Sequence, residues 1–256
     1  MKALLIGTLI LSVLAACNEP FEEKWYEHTE AETRTFDLTG QTHLTLENTN
    51  GSIDITGSDA VSHVQCEITK RVRSTTLEDA RQHIDDIVIT DETRAHYVYV
   101  KVEHPTSTER NYLVDFVITV PAQFDFQIFC GNGGIELSST TGDVKLLLGN
   151  GEIEFENVTA RAACCTVGNG SIEADVTLED NCAVDFELGN GDIALHIPKG
   201  TNAEVDASVG NGQIMFTGLV FSDLSVSRTH LSGILGDGSG HILLSVGNGV
   251  IQLLGK

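Results

Sequence analysis

From Phe36 onward, apolar and polar side chains alternate along most of the chain. Phe36 and Leu38, Leu44 and Leu46, Ile53 and Ile55, then Val64, Cys66 and Ile68 keep one-face spacing, and Gly40, Gly51 and Gly57 fall where runs break. A period of two with one apolar face belongs to a half-buried strand, so this stretch reads as strands joined by glycine turns. One helix interrupts them. Thr75-Thr76-Leu77-Glu78 has the form of a capping box, in which Thr75 and Glu78 would cover each other's free amides. Leu77, Ala80, Ile84 and Ile87 then share one helical face. Strands resume over 87–90, 97–102 and 112–120, and Pro121 ends the last because it offers no amide to a ladder.

Beyond residue 123 the pattern becomes a repeat. Asn-Gly steps begin at Asn50, Asn132, Asn150, Asn169, Asn190, Asn211 and Asn248, the last six inside Gly-Asn-Gly triplets. Three residues after each Asn stands an isoleucine: Ile53, Ile135, Ile153, Ile172, Ile193, Ile214 or Ile251. The residues two and four before each triplet Asn are apolar as well, from Cys130 and Ile128 to Val246 and Leu244. Successive triplets are 18, 19, 21, 21 and then 37 residues apart, the last gap being close to two periods. A hairpin meander would need good turns but has no reason to place Ile at a constant offset. Coils stacked in register do, because the isoleucines become one continuous column about 4.8 Å apart. Glycine at each corner supplies positive φ, and stacked Asn amides can bond to one another. The expected fold is therefore all-β, a single-stranded β-solenoid built from Gly-Asn-Gly-x-Ile repeats, with a strand-rich N-terminal region containing one short helix.

The early Asn-Thr-Asn-Gly-Ser-Ile-Asp-Ile, the strand Val114-Asp115-Phe116-Val117-Ile118-Thr119-Val120-Pro121, the Gly-Asn-Gly-Asp-Ile type repeats and the closing Gly-Asn-Gly-Val-Ile resemble the bacterial putative-adhesin β-strand-repeat proteins, a domain family of unknown function. The resemblance covers residues 36–256. It implies a β-solenoid entered through a strand-rich region, and little biochemistry.

The N-terminus supplies an address. Met1-Lys2 is a short basic start, an apolar run follows, and Leu14-Ala15-Ala16-Cys17 resembles the bacterial lipobox. That resemblance makes residues 1–16 a lipoprotein signal peptide and Cys17 the lipidation site, with several acyl chains enough for stable anchoring. Asn18 after the cysteine resembles the outer-membrane-sorted class of Gram-negative cells. Residues 17–35 are acidic, carry the single Trp25 and show no strand periodicity, so they read as a tether, with Phe21, Trp25 and Tyr26 touching the membrane surface or the domain. The remaining expected units are an N-terminal β-rich region over 36–122 and the repeat β-solenoid over 123–256.

Charge and motifs narrow the function. The formal charge of −22 repels nucleic acid, so no nucleic-acid partner is expected. The five cysteines after Cys17 do not have the spacing of paired zinc ligands, and Cys66 alternates with Val64 and Ile68 as a buried strand residue. The triplets lack the third glycine and following helix of a dinucleotide loop, and no nucleophile-elbow or zinc-protease motif occurs. The outward column of Asp54, Glu136, Glu154 and Glu173 reads as a hydrated acidic stripe, with calcium binding as the sharper alternative. Lys70, Arg71 and Arg73 read as charges on a solvated strand edge. These observations lead to a non-catalytic, lipid-anchored cell-envelope protein with no cofactor, no metal site and no catalytic residue. It would serve structural or adhesive interaction with an envelope polymer or protein and, if the cell is Gram-negative, would lie at the outer membrane or periplasmic face. The alternatives are a β-solenoid enzyme acting on polysaccharide and an envelope-stress accessory protein.

Overall fold

The alternating positions form strands that join into one large mixed sheet of thirteen strands. The structure is a computed structural model that describes residues 25–256. The N-terminal strands are β1 (Tyr26–Asp37), β2 (His43–Asn50), β3 (Ile53–Ser58), β4 (His63–Ser74), β5 (Val88–Thr93), β6 (Tyr97–Glu103) and β7 (Asn111–Pro121). The repeats supply β8 (Asp125–Ser138), β9 (Val144–Ile197), β10 (Ala203–Thr217), β11 (Phe221–Val226), β12 (His230–Leu235) and β13 (Gly240–Gly255). Along the sheet the order is β1-β4-β7-β3-β8-β9-β13-β10-β12-β11, and β2 leaves this path by pairing with β8 and β6, which carries β5.

The repeats pair parallel and in register, which is what the constant isoleucine offset requires. Ile53 lies opposite Ile135, and Ile135 opposite Ile153. Farther along, Ile193 faces Ile251 and Ile251 faces Ile214. All seven are buried, as are the apolar residues two and four before each triplet Asn. Burying such a side chain contributes about 1.5–3 kcal/mol, so the column is a main source of cohesion. Strand β9 contains three repeats because the chain turns each corner without leaving extended pairing. Gly170 shows how: its φ is +142°, and a Cβ there would sit 1.7 Å from the carbonyl oxygen of Gly151. The corners half a period away use other residues at positive φ, Asn157 and Asn181 among them.

Four expectations need correction. The acidic stretch assigned to a tether through residue 35 is, from Tyr26, strand β1, antiparallel to β4. It shows no readable alternation because only Phe36 of its residues is buried; backbone pairing and ion pairs hold it in place. Lys70, Arg71 and Arg73 are consequently not on an edge, since β4 has β1 on one side and β7 on the other. The helix α1 (Leu77–Gln82) is capped by Thr76, whose hydroxyl accepts from the Asp79 amide, not by Thr75. It passes into a 3-10 turn, Ile84–Asp86, so Ile84 and Ile87 are buried while Leu77 is exposed. Finally, the last two repeats do not stack in chain order. The closing strand β13 inserts between β9 and β10.

Candidate functional site

The triplet asparagines stack into a ladder. Asn132 Nδ2 donates to Asn50 Oδ1 at 2.8 Å, and the same 2.8 Å bond runs from Asn150 to Asn132, Asn169 to Asn150 and Asn190 to Asn169. Asn248 donates to Asn190 at 2.7 Å and Asn211 to Asn248 at 2.8 Å. Every amide donates in the same direction, so the dipoles align head to tail and polarise one another. Asn50 ends the series by donating to the Tyr112 carbonyl at 3.2 Å. Two residues earlier, Asn48 replaces the apolar residue found in every triplet repeat and is buried, donating to the Val114 carbonyl at 2.8 Å.

Where the ladder meets β7, the surface opens into a cleft of about 600 Å3 lined by Asn50, Ser52, Arg71, Asn111, Leu113, Asp115 and Asn132. Cross-strand register builds this face. Glu27 lies opposite Arg73, and Arg73 opposite Asn111. One step along, Arg71 lies opposite Leu113, and Thr69 opposite Asp115. The Arg71 guanidinium contacts Asp115 Oδ2 at 2.5 Å, and Arg73 Nε donates to Glu27 Oε2 at 2.6 Å. Asp115 Oδ1 also accepts from the Ser52 amide at 2.9 Å. A second cleft of about 530 Å3, lined by Trp25, Glu27, Arg73 and Asn111, continues from the first at Asn111. Together they form a groove across β1, β4 and β7. Sequence reasoning singled out Arg71, Arg73, Trp25 and Asn50 separately; it missed Asn111 and Glu27 as groove residues and did not pair Asp115 with Arg71.

Beside the groove, a polar clasp ties α1 to the sheet. Asp79 accepts two bonds of 2.7 Å from Arg110 and one of 2.5 Å from Ser74 Oγ. The Arg110 hydrogen bonds, then that of Ser74, hold its carboxyl down to about 2. His83 Nδ1 lies 2.7 Å from Asp86 Oδ2, which also accepts from the Tyr112 hydroxyl at 2.9 Å. Ser74 donates to Asp79, a carboxylate already engaged by both Arg110 bonds.

The other singled-out residues do not line this groove. Asp54, Glu136 and Glu154 are cross-strand neighbours, with Glu173 exposed in the next repeat. Burial, then the charge of Asp115, raises the Asp54 carboxyl. Among the described residues, no group of three or more His, Cys, Asp or Glu side chains is arranged to hold a metal ion. Cys66, Cys130, Cys164, Cys165 and Cys182 are free thiols. Burial pushes Cys66 up to about 12 and Cys130 to about 11, which keeps both protonated at neutral pH. Cys17 and the signal-peptide residues lie outside the described residues.

No protein-family model and no curated protein matches the chain in sequence. Among solved structures, it is similar to a putative cell adhesion protein from Clostridium sporogenes, with 15% identity, 90% of this chain and 100% of that chain covered, and a TM-score of 0.52. A putative adhesin from Bacteroides fragilis aligns with 11% identity over 87% of this chain and 96% of that one, with a TM-score of 0.37. A putative lipid binding protein from Parabacteroides distasonis aligns with 11% identity over the same shares, with a TM-score of 0.30. The first likeness is one of fold, and it covers 90% of this chain.

Proposed function

We propose that the chain is a lipid-anchored, non-catalytic interaction module of the bacterial cell envelope, with residues 123–256 wound as a β-solenoid. The observation that carries the reading is the unbroken asparagine ladder from Asn50 to Asn211. Parallel strands in register, locked by a line of side-chain amides, make a stiff scaffold that can present a surface at a fixed distance. The sheet order supports an anchored and a free end, since β1 lies at one end and β11 at the other. Strand β1 continues directly from the segment that follows Cys17. The fold likeness to the Clostridium sporogenes cell adhesion protein is consistent with an adhesive role.

The test compares wild type with Cys17→Ala in cells fed labelled palmitate, followed by crosslinking and recovery from separated membranes. Wild type is expected to carry label, stay with membranes and crosslink to envelope material. The variant is expected to be unlabelled and released. An unlabelled wild type whose membrane pool is unchanged by the substitution would reject the anchor, and depolymerisation of an envelope polysaccharide by the purified chain would favour an enzyme instead.

A further inference from the structure

We propose that the groove across β1, β4 and β7 binds an uncharged oligosaccharide. The inference rests on the interaction-module reading and gives that module its ligand chemistry. Two clefts of about 600 and 530 Å3 meet at Asn111. Each has the size of a small-molecule site, so together they accommodate several linked sugar rings.

The polar groups suit hydroxyls. A carboxamide offers donors and an acceptor side by side, the pattern that adjacent sugar hydroxyls complement. Asn50 and Asn132 each keep hydrogen-bonding capacity beyond the ladder, because one N–H and one lone pair remain after their bonds. Asn111 joins the two clefts and spends no side-chain bond within the described residues. At the far end, the Trp25 indole is 44% exposed, a flat apolar surface of the kind that the C–H face of a pyranose covers.

Charge selects among ligands. Arg71 is paired with Asp115 and Arg73 with Glu27, so the groove is neutral inside a chain of charge −22. An anionic polymer would find both guanidiniums already matched and the surrounding field repulsive. An extended peptide would find little ladder here, because β4 has neighbours on both sides and, where β7 lines the groove, its Tyr112 and Val114 carbonyls already accept from the side chains of Asn50 and Asn48. The groove also lies at the anchored end of the sheet, which favours the cell's own wall glycan over a distant one.

Trp25 is the only tryptophan, so its emission reports on the groove directly. The full chain is titrated with chitotetraose, with cellotetraose, which has the same linkage without acetamido groups, and with anionic trigalacturonate. A saturable change with at least one neutral sugar is expected, at a dissociation constant of roughly 0.1–1 mM. Chitotetraose binding more tightly than cellotetraose would identify wall-type amino sugar as the source, and the reverse a plain hexose glycan. Asn111→Ala, checked for an unchanged melting temperature, should weaken binding about tenfold. No saturable response to either neutral sugar up to about 10 mM, a response only to trigalacturonate, or binding indifferent to Asn111→Ala would each overturn the proposal. If sugar binding fails while the wild type remains lipidated and crosslinks to the envelope, the ligand assignment falls and the interaction module stands.

Discussion

At the scale of single residues, the corner glycines carry the sharpest requirement. Gly170 combines φ of +142° with a carbonyl oxygen 1.7 Å from where a Cβ would sit, and that oxygen belongs to the backbone of the neighbouring repeat. Neither the strain nor the clash can be relieved by a side-chain rotation. Gly170→Val is therefore expected to cost more than about 3 kcal/mol, among the large values for point changes. Ser171→Val, one residue on and partly exposed in a strand, should be neutral or mildly stabilising. Thermal melts check the contrast, and equal midpoints for the two variants would refute this account of the corner. This requirement was legible in the sequence, since Gly recurs in fixed register with Asn and Ile. The half-period corners were not, because Asn157 and Asn181 reach positive φ without glycine and without a repeated neighbour to mark them. The groove was only partly legible. Trp25, Arg71 and Asn111 come together through the pairing of β1 with β4 and of β4 with β7, and nothing in the local pattern of β1 announces a strand.

At the scale of elements, local chemistry decided the outcome where two similar residues competed. Thr75 and Thr76 each stand three residues before an acid, Glu78 and Asp79 respectively. The chain uses Thr76, and the reason lies outside the helix. Asp79 must face Arg110 and Ser74, and that sets the helix one residue later than the capping-box pattern suggests. Thr76→Ala should then lower stability by about 1 kcal/mol, the usual worth of an N-cap, while Thr75→Ala should change it by no more than a few tenths. Denaturant midpoints for the two variants measure this; a larger loss from Thr75→Ala would return the cap to the earlier position. The same comparison shows why β1 escaped detection. A strand at the end of a sheet whose inner face is covered only in part, and by polar side chains such as His28, Glu32 and Arg34, needs no apolar period, and its charged side chains discourage pairing with a further strand.

At the scale of the molecule, the repeats specify register but not neighbour. Every repeat offers the same Asn, Gly and Ile to the strand beside it, so sequence alone does not say which repeat lies next to which. Only the long gap before Asn248 hints that the final repeat is different. The structure resolves the order as Asn190, Asn248, Asn211, with β12 and β11 closing the end beyond β10 by antiparallel pairing. This arrangement has an energetic consequence opposite to that of a chain-ordered stack. Ile251, in the last repeat of the sequence, is fully buried between Ile193 and Ile214. Ile214 belongs to an earlier repeat but lies in the outermost parallel strand, is 9% exposed, and has an isoleucine neighbour on one side only. Deleting the side chain at an interior position leaves a cavity walled on both sides, whereas the outer position can relax toward solvent. Ile251→Ala is expected to cost about 3–5 kcal/mol and Ile214→Ala distinctly less, near 2 kcal/mol or below. In a stack wound in chain order the ranking would invert, because Ile251 would then sit at the open end. Equilibrium melts of the two variants discriminate directly, with each 1 kcal/mol displacing the midpoint by roughly 2–4 °C in a chain of this size. A lower midpoint for Ile214→Ala than for Ile251→Ala would remove β13 from the interior and return the final repeat to the end of the stack.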